Sequence, residues 1–412
     1  MGTRFFKETI RDVDLRGRTV LVRVDYNVPL TSEGEISDDL RIRASLPTIK
    51  YLIDQRCKIV LISHLGRPHG KQKKYSLDPV AAHLANLLGQ SVRFIDDCVG
   101  DKVHQMIRHA RRGSVTLLEN LRFYDEEEAD DLTFARSIVK ATGAEYLVQD
   151  GFGVVHRSHA STHAITLCIP AVAGFLLEKE YMTITKVMAS PHHPLVAIMG
   201  GAKVSDKIEL INRLLEKANT VLIGGAMANT FLNYKGYDVG DSLVESDQSK
   251  ILDTIYKKAK SKVGSDKVDD FLQLPVDAAV AREPRKNSIR REASVDNIDK
   301  DDKILDIGTQ TIERFSKVIS GAKTVIWNGP MGYTESDSFA IGSARIAMAI
   351  AQNQKVTSVV GGGDTADFVL KWDGHDGASF THISTGGGAS MELMAGRKLP
   401  GVESLLDAYG LG

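Results

Sequence analysis

Two glycine-rich segments near the carboxyl end of the chain have the composition of anion-binding loops. In the first, Val356–Thr365, an apolar, β-branched run ends in Gly361-Gly362-Gly363-Asp364. Glycine has no Cβ, so its backbone N–H groups can approach a phosphate closely, and an adjacent aspartate is suited to bind Mg2+ or to begin a helix. Because the pattern recurs in His382–Ala389, which contains Gly386-Gly387-Gly388, it predicts a phosphate-rich ligand.

Basic side chains accompany four apolar, β-branched runs in the first half of the chain. The pairs are Val20–Val24 with Arg23, Ile59–Ser63 with His64 and Arg67, Val115–Leu118 with Arg122, and Tyr146–Val148 with His156 and Arg157. The carboxyl ends of parallel strands share one edge of a sheet, and guanidinium groups bind phosphate or carboxylate oxygens in a bidentate manner. The pattern therefore predicts an anion site. Structural ion pairs with Asp25, Glu119 and Asp150 are the alternative.

In the second half, glycine rather than arginine follows the apolar runs, as at Gly200-Gly201 and Gly224-Gly225. Lys203 and Lys207 come after the first pair, at i and i+4 of a predicted helix over Val204–Ala218, where they would share one face. Lysines beside glycine N–H groups at a helix N-terminus predict contacts with phosphate oxygens. Ordinary exposed lysines are the alternative.

Other ligand chemistries fit the sequence less well. The P-loop pattern GxxxxGK[ST] is absent, and Gly361-x-Gly363-x-x-Ala366 lacks the acidic residue that a dinucleotide site expects near position 383. His156, His159 and His163 have the spacing of metal ligands, but Arg157 among them would repel a cation. The isolated Cys57, Cys98 and Cys168 support neither a zinc motif nor a disulfide framework.

Composition predicts a cytoplasmic protein with two domains. The 412 residues exceed one ordinary core, and 42% hydrophobic with 25% charged residues is typical of a globular protein. A formal net charge of −1 argues against a nucleic-acid partner. The longest apolar run, Ile165–Leu177, is too short and interrupted to cross a membrane, and the first residues lack the apolar core of a signal peptide.

The alternation of apolar runs with amphipathic stretches predicts an α/β fold. Its architecture would be two doubly wound parallel-sheet (Rossmann-like) domains joined by a hinge helix near Glu178–Met188. The predicted ranges are an N-terminal domain over 1–172, a hinge over 173–190, a C-terminal domain over 191–395 and a tail over 396–412. The charge-rich segment 283–303 is expected to be a solvated loop or an exposed helix, with a partner site as the alternative. The other predicted strands are Val92–Ile95, Val196–Met199, Val221–Ile223, Val325–Trp327 and Val356–Val360.

Taken in order, these segments resemble the phosphoglycerate kinase family along nearly the whole chain. The segments that carry the resemblance are Arg23–Pro29, Arg41–Ala44, Ser63–Pro68, Glu119–Phe123, Asp150–Gly153, Gly200–Lys207, Leu274–Asp277, Trp327–Gly332, Gly361–Thr365, Ser384–Ala389 and Leu399–Val402. Tyr26, Gln149 and Gly151 depart from the usual pattern without removing a charged functional position. The short N-terminus and the His382–Thr385 segment look more like archaeal members.

The resemblance implies reversible, Mg2+-dependent phosphoryl transfer between ATP and 3-phosphoglycerate, giving ADP and 1,3-bisphosphoglycerate, in glycolysis and gluconeogenesis. The nucleophile would be a carboxylate oxygen that is already ionised at neutral pH, so no general base is required. A monomer is expected, whose N-terminal domain binds 3-phosphoglycerate, whose C-terminal domain binds the nucleotide, and whose domains close around both. The tail would return to the N-terminal domain through Val402, Leu405 and Leu406. A non-catalytic nucleotide- or phosphate-binding protein of the same fold is the alternative, with a hydride-transfer enzyme third.

By the same resemblance, the functional residues fall into three groups. The residues expected to act on the transferring group are Arg41, Lys203, Gly363 and Gly387. Those expected to bind 3-phosphoglycerate are Arg23, Asp25, Asn27, Arg41, His64, Arg67, Arg122 and Arg157. Those expected to bind the nucleotide are Lys203, Lys207, Glu335, Gly361, Gly362, Gly363, Asp364 and Thr365, with Asp364 holding the Mg2+ of the nucleotide.

Overall fold

The computed structural model of the protein describes residues 4–285 and 288–409. Positions 1–3 of the predicted N-terminal domain, 410–412 of the predicted tail, and 286–287 of the charge-rich segment lie outside the described residues. The chain divides into two compact units, Met1–Met182 with Lys398–Gly412, and Thr183–Arg397. We refer to them as the first unit and the second unit.

The first unit contains a six-stranded sheet in which every pairing is parallel. Its strands are β1 (Thr19–Arg23), β2 (Lys58–Ile62), β3 (Val92–Ile95), β4 (Val115–Leu118), β5 (Tyr146–Gln149) and β6 (Ala171–Ala173), in the order β3-β4-β2-β1-β5-β6. The chain proceeds to one side of β1 through β2 and later to its other side through β5. Such a reversal of strand order is where α/β sheets bind ligands, at the carboxyl ends of the strands.

Amphipathic helices connect these strands, because each buries one apolar face on the sheet. They are α1 (Leu40–Asp54), α2 (Asp78–Leu88), α3 (Asp101–Arg108) and α4 (Leu132–Thr142), whereas α5 (Phe175–Ala189) follows β6 and leads into the second unit. Helix α4 illustrates the local causes. Asp131 accepts a hydrogen bond from the Phe134 N–H at 2.6 Å, and Gly143 ends the helix at φ 61°.

The second unit contains a parallel six-stranded sheet in the order β15-β14-β13-β7-β8-β9 and an antiparallel sheet in the order β11-β10-β12. The strands are β7 (Leu195–Met199), β8 (Thr220–Ile223), β9 (Leu272–Gln273), β10 (Asp277–Ala281), β11 (Arg291–Ser294), β12 (Lys303–Ile307), β13 (Thr324–Asn328), β14 (Thr357–Gly361) and β15 (His382–Ile383). The helices are α6 (Ile208–Lys217), α7 (Gly225–Tyr234), α8 (Ser249–Val263), α9 (Val268–Phe271), α10 (Thr309–Ser320), α11 (Ile341–Gln352), α12 (Gly363–Asp373) and α13 (Gly388–Ala395).

The predicted fold class is confirmed, since both units carry doubly wound parallel sheets. Every predicted strand overlaps an observed one, and the predicted hinge helix is α5, within which the division between the units falls. The prediction for segment 283–303 is wrong in part, because β11 lies inside it. This strand is an edge of its sheet and largely exposed, so it needs no apolar run.

A second correction concerns the lysine pair. The predicted helix over Val204–Ala218 begins only at Ile208 as α6, and Ser205–Lys207 form a 3-10 turn before it. Lys203 and Lys207 therefore do not share an α-helical face.

The carboxyl-terminal segment belongs to the first unit and contains the short helix α14 (Pro400–Glu403). The Glu8 N–H donates to the Leu406 carbonyl at 2.8 Å, and the Leu406 N–H donates to the Ala171 carbonyl beside β6 at 2.9 Å. Val402 and Leu405 are buried as predicted. Leu406 is 41% exposed, so it contributes its backbone rather than its side chain.

Candidate active site

Arg23, the last residue of β1, is almost completely buried in the first unit. Its Nε donates to the Ser161 hydroxyl at 2.7 Å, its Nη1 donates to the Val24 carbonyl, and its Nη2 lies 3.3 Å from His64 Nδ1. Each of these contacts fixes the plane of the guanidinium. Arg23 is thus a rigid charge at the carboxyl end of the central strands.

Asp25, Asn27 and Arg41 form a second group beside the end of β1. Arg41, in the first turn of α1, donates from Nη1 to the Asn27 carbonyl at 2.7 Å and lies 3.4 Å from Asp25 Oδ2. Asn27 Oδ1 accepts from the Gly66 N–H at 2.8 Å, which ties the loop after β1 to the loop after β2. The Arg41 side chain remains 27% exposed, so it can still contact a ligand.

The three remaining predicted arginines differ in their burial and in their hydrogen bonds. Arg122 is buried, donates from Nη1 to the Gly66 carbonyl at 2.8 Å, and lies 2.9 Å from Glu128 through Nε. Arg67 and Arg157 are exposed, and Arg157 Nε donates to His156 Nε2 at 3.2 Å. The structure therefore brings some of the predicted cations into a fixed frame and leaves others at the surface.

The histidines among these arginines are neutral at pH 7. Burial, reinforced by Arg23, Arg122 and Arg41, holds the pKa of His64 well below its ordinary value. Burial also lowers the pKa of His156 and of His159 to about 4. The positive charge of this site therefore comes from its arginines, while the histidines can act as neutral hydrogen-bond donors.

Two of the acids named as ion-pair partners have other roles. Glu119 accepts from the N–H groups of Leu77 at 3.0 Å and Asn120 at 2.8 Å. Asp150 accepts from the Leu176 N–H at the start of α5 at 2.9 Å, and burial raises the pKa of its carboxyl to about 7.

The carboxylates that do face buried arginines are Glu127, 3.8 Å from Arg23 Nη2, and Glu128. Sequence reasoning missed both. The acidic run Asp125-Glu126-Glu127-Glu128, directly after Arg122, was the available signal.

In the second unit, two of the predicted nucleotide residues, Glu335 and Asp364, border a cavity of about 650 Å³. Glycine backbone, with Glu335 and Asp364, forms part of its lining, and apolar side chains form another part. Those apolar residues are Leu243, Val244, Ile304, Leu305 and Tyr333. The volume and the mixture of an apolar wall with a few polar groups suit a ligand of nucleotide size.

Backbone contacts between the loops after β7 and β13 leave no room for a side chain at Gly200 or Gly329. A Cβ on Gly200 would lie 2.1 Å from the Pro330 carbonyl oxygen, and one on Gly329 would lie 2.2 Å from the Gly200 backbone. Gly362, at φ 91°, precedes α12, and Gly387, at φ 49°, precedes α13. Two helix N-termini, where unpaired N–H groups favour anions, therefore follow the glycine segments.

The predicted lysines occupy different environments. Lys207 donates from Nζ to the Gly200 carbonyl at 2.8 Å and to the Asn328 carbonyl at 3.3 Å, and burial lowers the pKa of its ammonium to about 8. Lys203 is exposed. Thr365 is buried, and its hydroxyl accepts from the Gly329 N–H at 2.7 Å, so it joins the loops after β13 and β14.

Asn328, the last residue of β13, is a site residue that the sequence reasoning did not select. Its side chain is fully buried, and neither amide atom has a hydrogen-bond partner within residues 4–285 and 288–409. The amide nitrogen lies 3.1 Å from the position that a Cβ on Gly362 would take. An unpaired buried amide is costly unless a ligand satisfies it. The Trp327-Asn328-Gly329 segment of the resemblance was the available signal.

These features define an α/β protein whose two units present different groups at the carboxyl ends of their parallel strands, cationic side chains in the first and glycine backbone in the second. The chain belongs to the phosphoglycerate kinase family, whose model matches residues 10–397. It is a transferase of glycolysis, a kinase whose phosphoryl acceptor is a carboxyl group.

The similarity extends over nearly the full length of known members. The chain is 48% identical over 398 residues to the phosphoglycerate kinase of Dictyoglomus turgidum, covering 97% of this chain and 98% of that one. It is 45% identical over 402 residues to that of Pelotomaculum thermopropionicum, covering 97% and 99%. These relatives are bacterial, so the predicted archaeal resemblance is not supported.

Solved structures agree with this assignment. The phosphoglycerate kinase of Coxiella burnetii matches with a TM-score of 0.81 at 33% identity, and that of Pyrococcus horikoshii OT3 matches with a TM-score of 0.82 at 32% identity. Each comparison covers 97% of this chain and 98% of the other. None of the helices in the described ranges is long and apolar enough to span a membrane.

Proposed function

We propose that the two units divide the labour of a phosphoglycerate kinase, which transfers a phosphoryl group reversibly between ATP and 3-phosphoglycerate. The first unit would bind 3-phosphoglycerate and the second would bind ATP. One observation carries this division. Fixed arginines follow the strands of the first unit, whereas glycine loops beside an apolar cavity follow those of the second.

In the first unit, the distal phosphate of 3-phosphoglycerate would meet His64, Arg67, Arg122 and Arg157, with Arg23 behind them. Asp25 and Asn27 would hold the hydroxyl and carboxylate region. The support is that the Gly66 hydrogen bonds join the loops that carry Asn27, His64 with Arg67, and Arg122. Guanidinium forks match phosphate oxygens in number and angle.

In the second unit, Lys203 and Lys207 would contact nucleotide phosphates, Glu335 the ribose, and the backbone at Gly361, Gly362, Gly363, Asp364 and Thr365 the phosphate chain. The apolar wall of the cavity would receive the base. Glu335 and Asp364 already border that cavity, which supports their assignment.

The chemical step needs charge stabilisation rather than proton transfer, because the attacking carboxylate is ionised at neutral pH. Arg41 and Lys203 would neutralise the transferring phosphoryl group, and N–H groups near Gly363 and Gly387 would face its oxygens. Arg41 is suited to this role because one side of its guanidinium is held while the rest stays accessible.

The Mg2+ that accompanies the nucleotide would be held by Asp364. Its carboxylate is exposed in the first turn of α12 and borders the cavity, and one carboxylate together with phosphate oxygens is a usual magnesium environment. When bound, the ion would neutralise charge on the phosphate oxygens.

We further propose the domain limits 1–172, 173–190, 191–395 and 396–412, a monomeric state and a cytoplasmic location. The free thiols of Cys57, Cys98 and Cys168 support a reducing compartment.

Separate titrations test the division of roles. We expect 3-phosphoglycerate to perturb amide resonances of the first unit and an ATP analogue with Mg2+ to perturb those of the second. A coupled assay measures ADP release with 3-phosphoglycerate as acceptor. Binding of both ligands without turnover would favour the non-catalytic alternative, and perturbation of the same unit by both would refute the division.

A further inference from the structure

Glu127 is a carboxylate that is completely buried beneath the candidate substrate site of the first unit. Its Oε1 accepts from the Ser161 hydroxyl at 2.6 Å, its Oε2 accepts from the Ser161 N–H at 3.0 Å, and Arg23 Nη2 lies 3.8 Å away. A buried carboxylate is costly unless it is paired and hydrogen-bonded. Here the partners of Glu127 are Ser161 and Arg23, and Arg23 contacts His64 of the candidate substrate site.

Ser161 links this carboxylate to Arg23 in a defined direction. The hydroxyl has one proton, which the short contact assigns to Glu127, so its oxygen is free to accept from Arg23 Nε at 2.7 Å. The carboxylate thus fixes the hydroxyl, and the hydroxyl fixes the guanidinium edge.

Arg23 in turn determines which nitrogen of His64 carries the proton. A guanidinium has donors and no acceptor, so His64 Nδ1, 3.3 Å from Arg23 Nη2, must present a lone pair. The ring is neutral, because burial and three arginines oppose its protonation. A neutral imidazole that accepts through Nδ1 must donate through Nε2.

We propose that Glu127 and Ser161 are positioning residues that hold Arg23 in place and thereby keep His64 as an Nε2–H donor toward the anionic substrate. This inference rests on the proposed function, in which His64 contacts 3-phosphoglycerate. Asp25 is the competing partner, since its Oδ1 lies 4.0 Å from His64 Nδ1. Without Glu127, the Arg23 charge would be drawn toward Asp25, and His64 would lose its fixed tautomer.

The test compares three variants of the full-length protein. Glu127→Gln keeps the shape of the side chain and removes its charge, and Ser161→Ala removes the bridging hydroxyl. Glu126→Gln is the matched control, because it makes the same chemical change at an exposed neighbour in the same turn. Nitrogen-15 spectra of His64 report the tautomer, and steady-state kinetics report KM and kcat.

We expect the His64 of the unaltered protein to carry its proton on Nε2. Both variants should mix the tautomers and raise the KM for 3-phosphoglycerate about tenfold, as for loss of a charged hydrogen bond. The KM for ATP and the value of kcat should change much less. The control should behave as the unaltered protein.

Several results would overturn the inference. A proton on Nδ1 of His64 in the unaltered protein would refute it outright, even if neither variant folds. An unchanged tautomer and an unchanged KM in both variants would also refute it. Failure of the proposed function looks different, since the unaltered protein would then not bind 3-phosphoglycerate, whatever the His64 spectrum shows.

Discussion

The two units present opposite kinds of groups at the carboxyl ends of their parallel strands. The first presents long side chains, and its Arg23 and Arg122 are held by the buried carboxylate of Glu127, the exposed carboxylate of Glu128 and backbone carbonyl groups. The second relies on backbone, and its loops approach so closely that Gly200 and Gly329 admit no Cβ. A side-chain site is therefore sensitive to changes of charge, and a backbone site is sensitive to added volume.

Removing the carboxylate of Asp364 should have the largest effect on turnover. If Asp364 holds the Mg2+ of the nucleotide, Asp364→Ala should lower kcat by roughly 10²–10³, because a few kcal/mol of charge stabilisation is lost. Asp373→Ala, at the other end of α12, is the matched control. Steady-state kinetics at saturating Mg2+ measure the effect. Near-normal turnover of Asp364→Ala would show that catalysis does not need the Asp364 carboxylate.

Adding a Cβ should lower stability at one glycine of the second unit and weaken ATP binding at another. In Gly200→Ala the new Cβ would meet the Pro330 carbonyl oxygen, so the free energy of unfolding should fall by about 1–3 kcal/mol or more. In Gly363→Ala the Cβ meets nothing within 4 Å, so stability should hold while the KM for ATP rises about tenfold through a clash with phosphate. Thermal unfolding and kinetics distinguish the two. Equal melting temperatures would contradict the steric argument.

Replacing the arginines of the first unit with alanine should affect KM at some positions and kcat at another. Arg67→Ala and Arg122→Ala should raise the KM for 3-phosphoglycerate by about tenfold or more and leave nucleotide binding intact, because they would bind the phosphate that does not react. Arg41→Ala should act mostly on kcat. The distinction fails if all three variants show the same rise in KM at unchanged kcat.

The lowered pKa of Lys207 predicts that raising the pH weakens ATP binding and increases the free energy of unfolding. Its pKa is lowered to about 8, so as the pH rises from 7 to 9 it loses its charge and the KM for ATP should rise severalfold. The unfolded chain binds this proton up to its ordinary pKa near 10.5, so the unfolding free energy should increase with pH between about 8 and 10.5. Lys207→Arg should abolish both trends. A flat KM profile in the unaltered enzyme would rule out a phosphate contact for Lys207.

The smallest expected signal is a change of shape. If each unit binds one substrate, phosphoryl transfer requires the reacting atoms to come within about 3–3.5 Å, which implies closure after binding. Small-angle scattering should give a smaller radius of gyration with both ligands than with either alone. Identical scattering of the unliganded and doubly liganded forms would exclude closure.

The sequence was most informative where chemistry and burial coincide. Strands buried on both faces appear as continuous apolar runs, so β1, β2, β4, β7 and β13 were predictable. The edge strands β9 and β15 have two residues each, and β11 is polar. No apolar run in the sequence therefore predicts these three strands.

In the candidate site, too, local sequence patterns predicted some residues and missed those whose environment depends on distant segments. Arg23 and Lys207 could be selected by residue type and position, but the burial of Glu127 and Asn328 depends on chain segments far apart in sequence. Likewise, the 3-10 turn at Ser205–Lys207 arises where Glu245 accepts from the backbone N–H groups of Val204 and Ser205, a contact that local helix patterns do not contain.

The return of the carboxyl-terminal segment imposes an order on synthesis. Lys7 is buried among the carbonyls of Glu403 and Leu405, and β6 is flanked by the backbone of Leu406. A ribosome must therefore add roughly two hundred residues of the second unit before the first can be completed, a delay on the order of ten to forty seconds at ordinary elongation rates. During that interval the nascent first unit lacks the backbone of Leu406 beside Glu8 and Ala171, and the ammonium of Lys7 lacks its carbonyl partners.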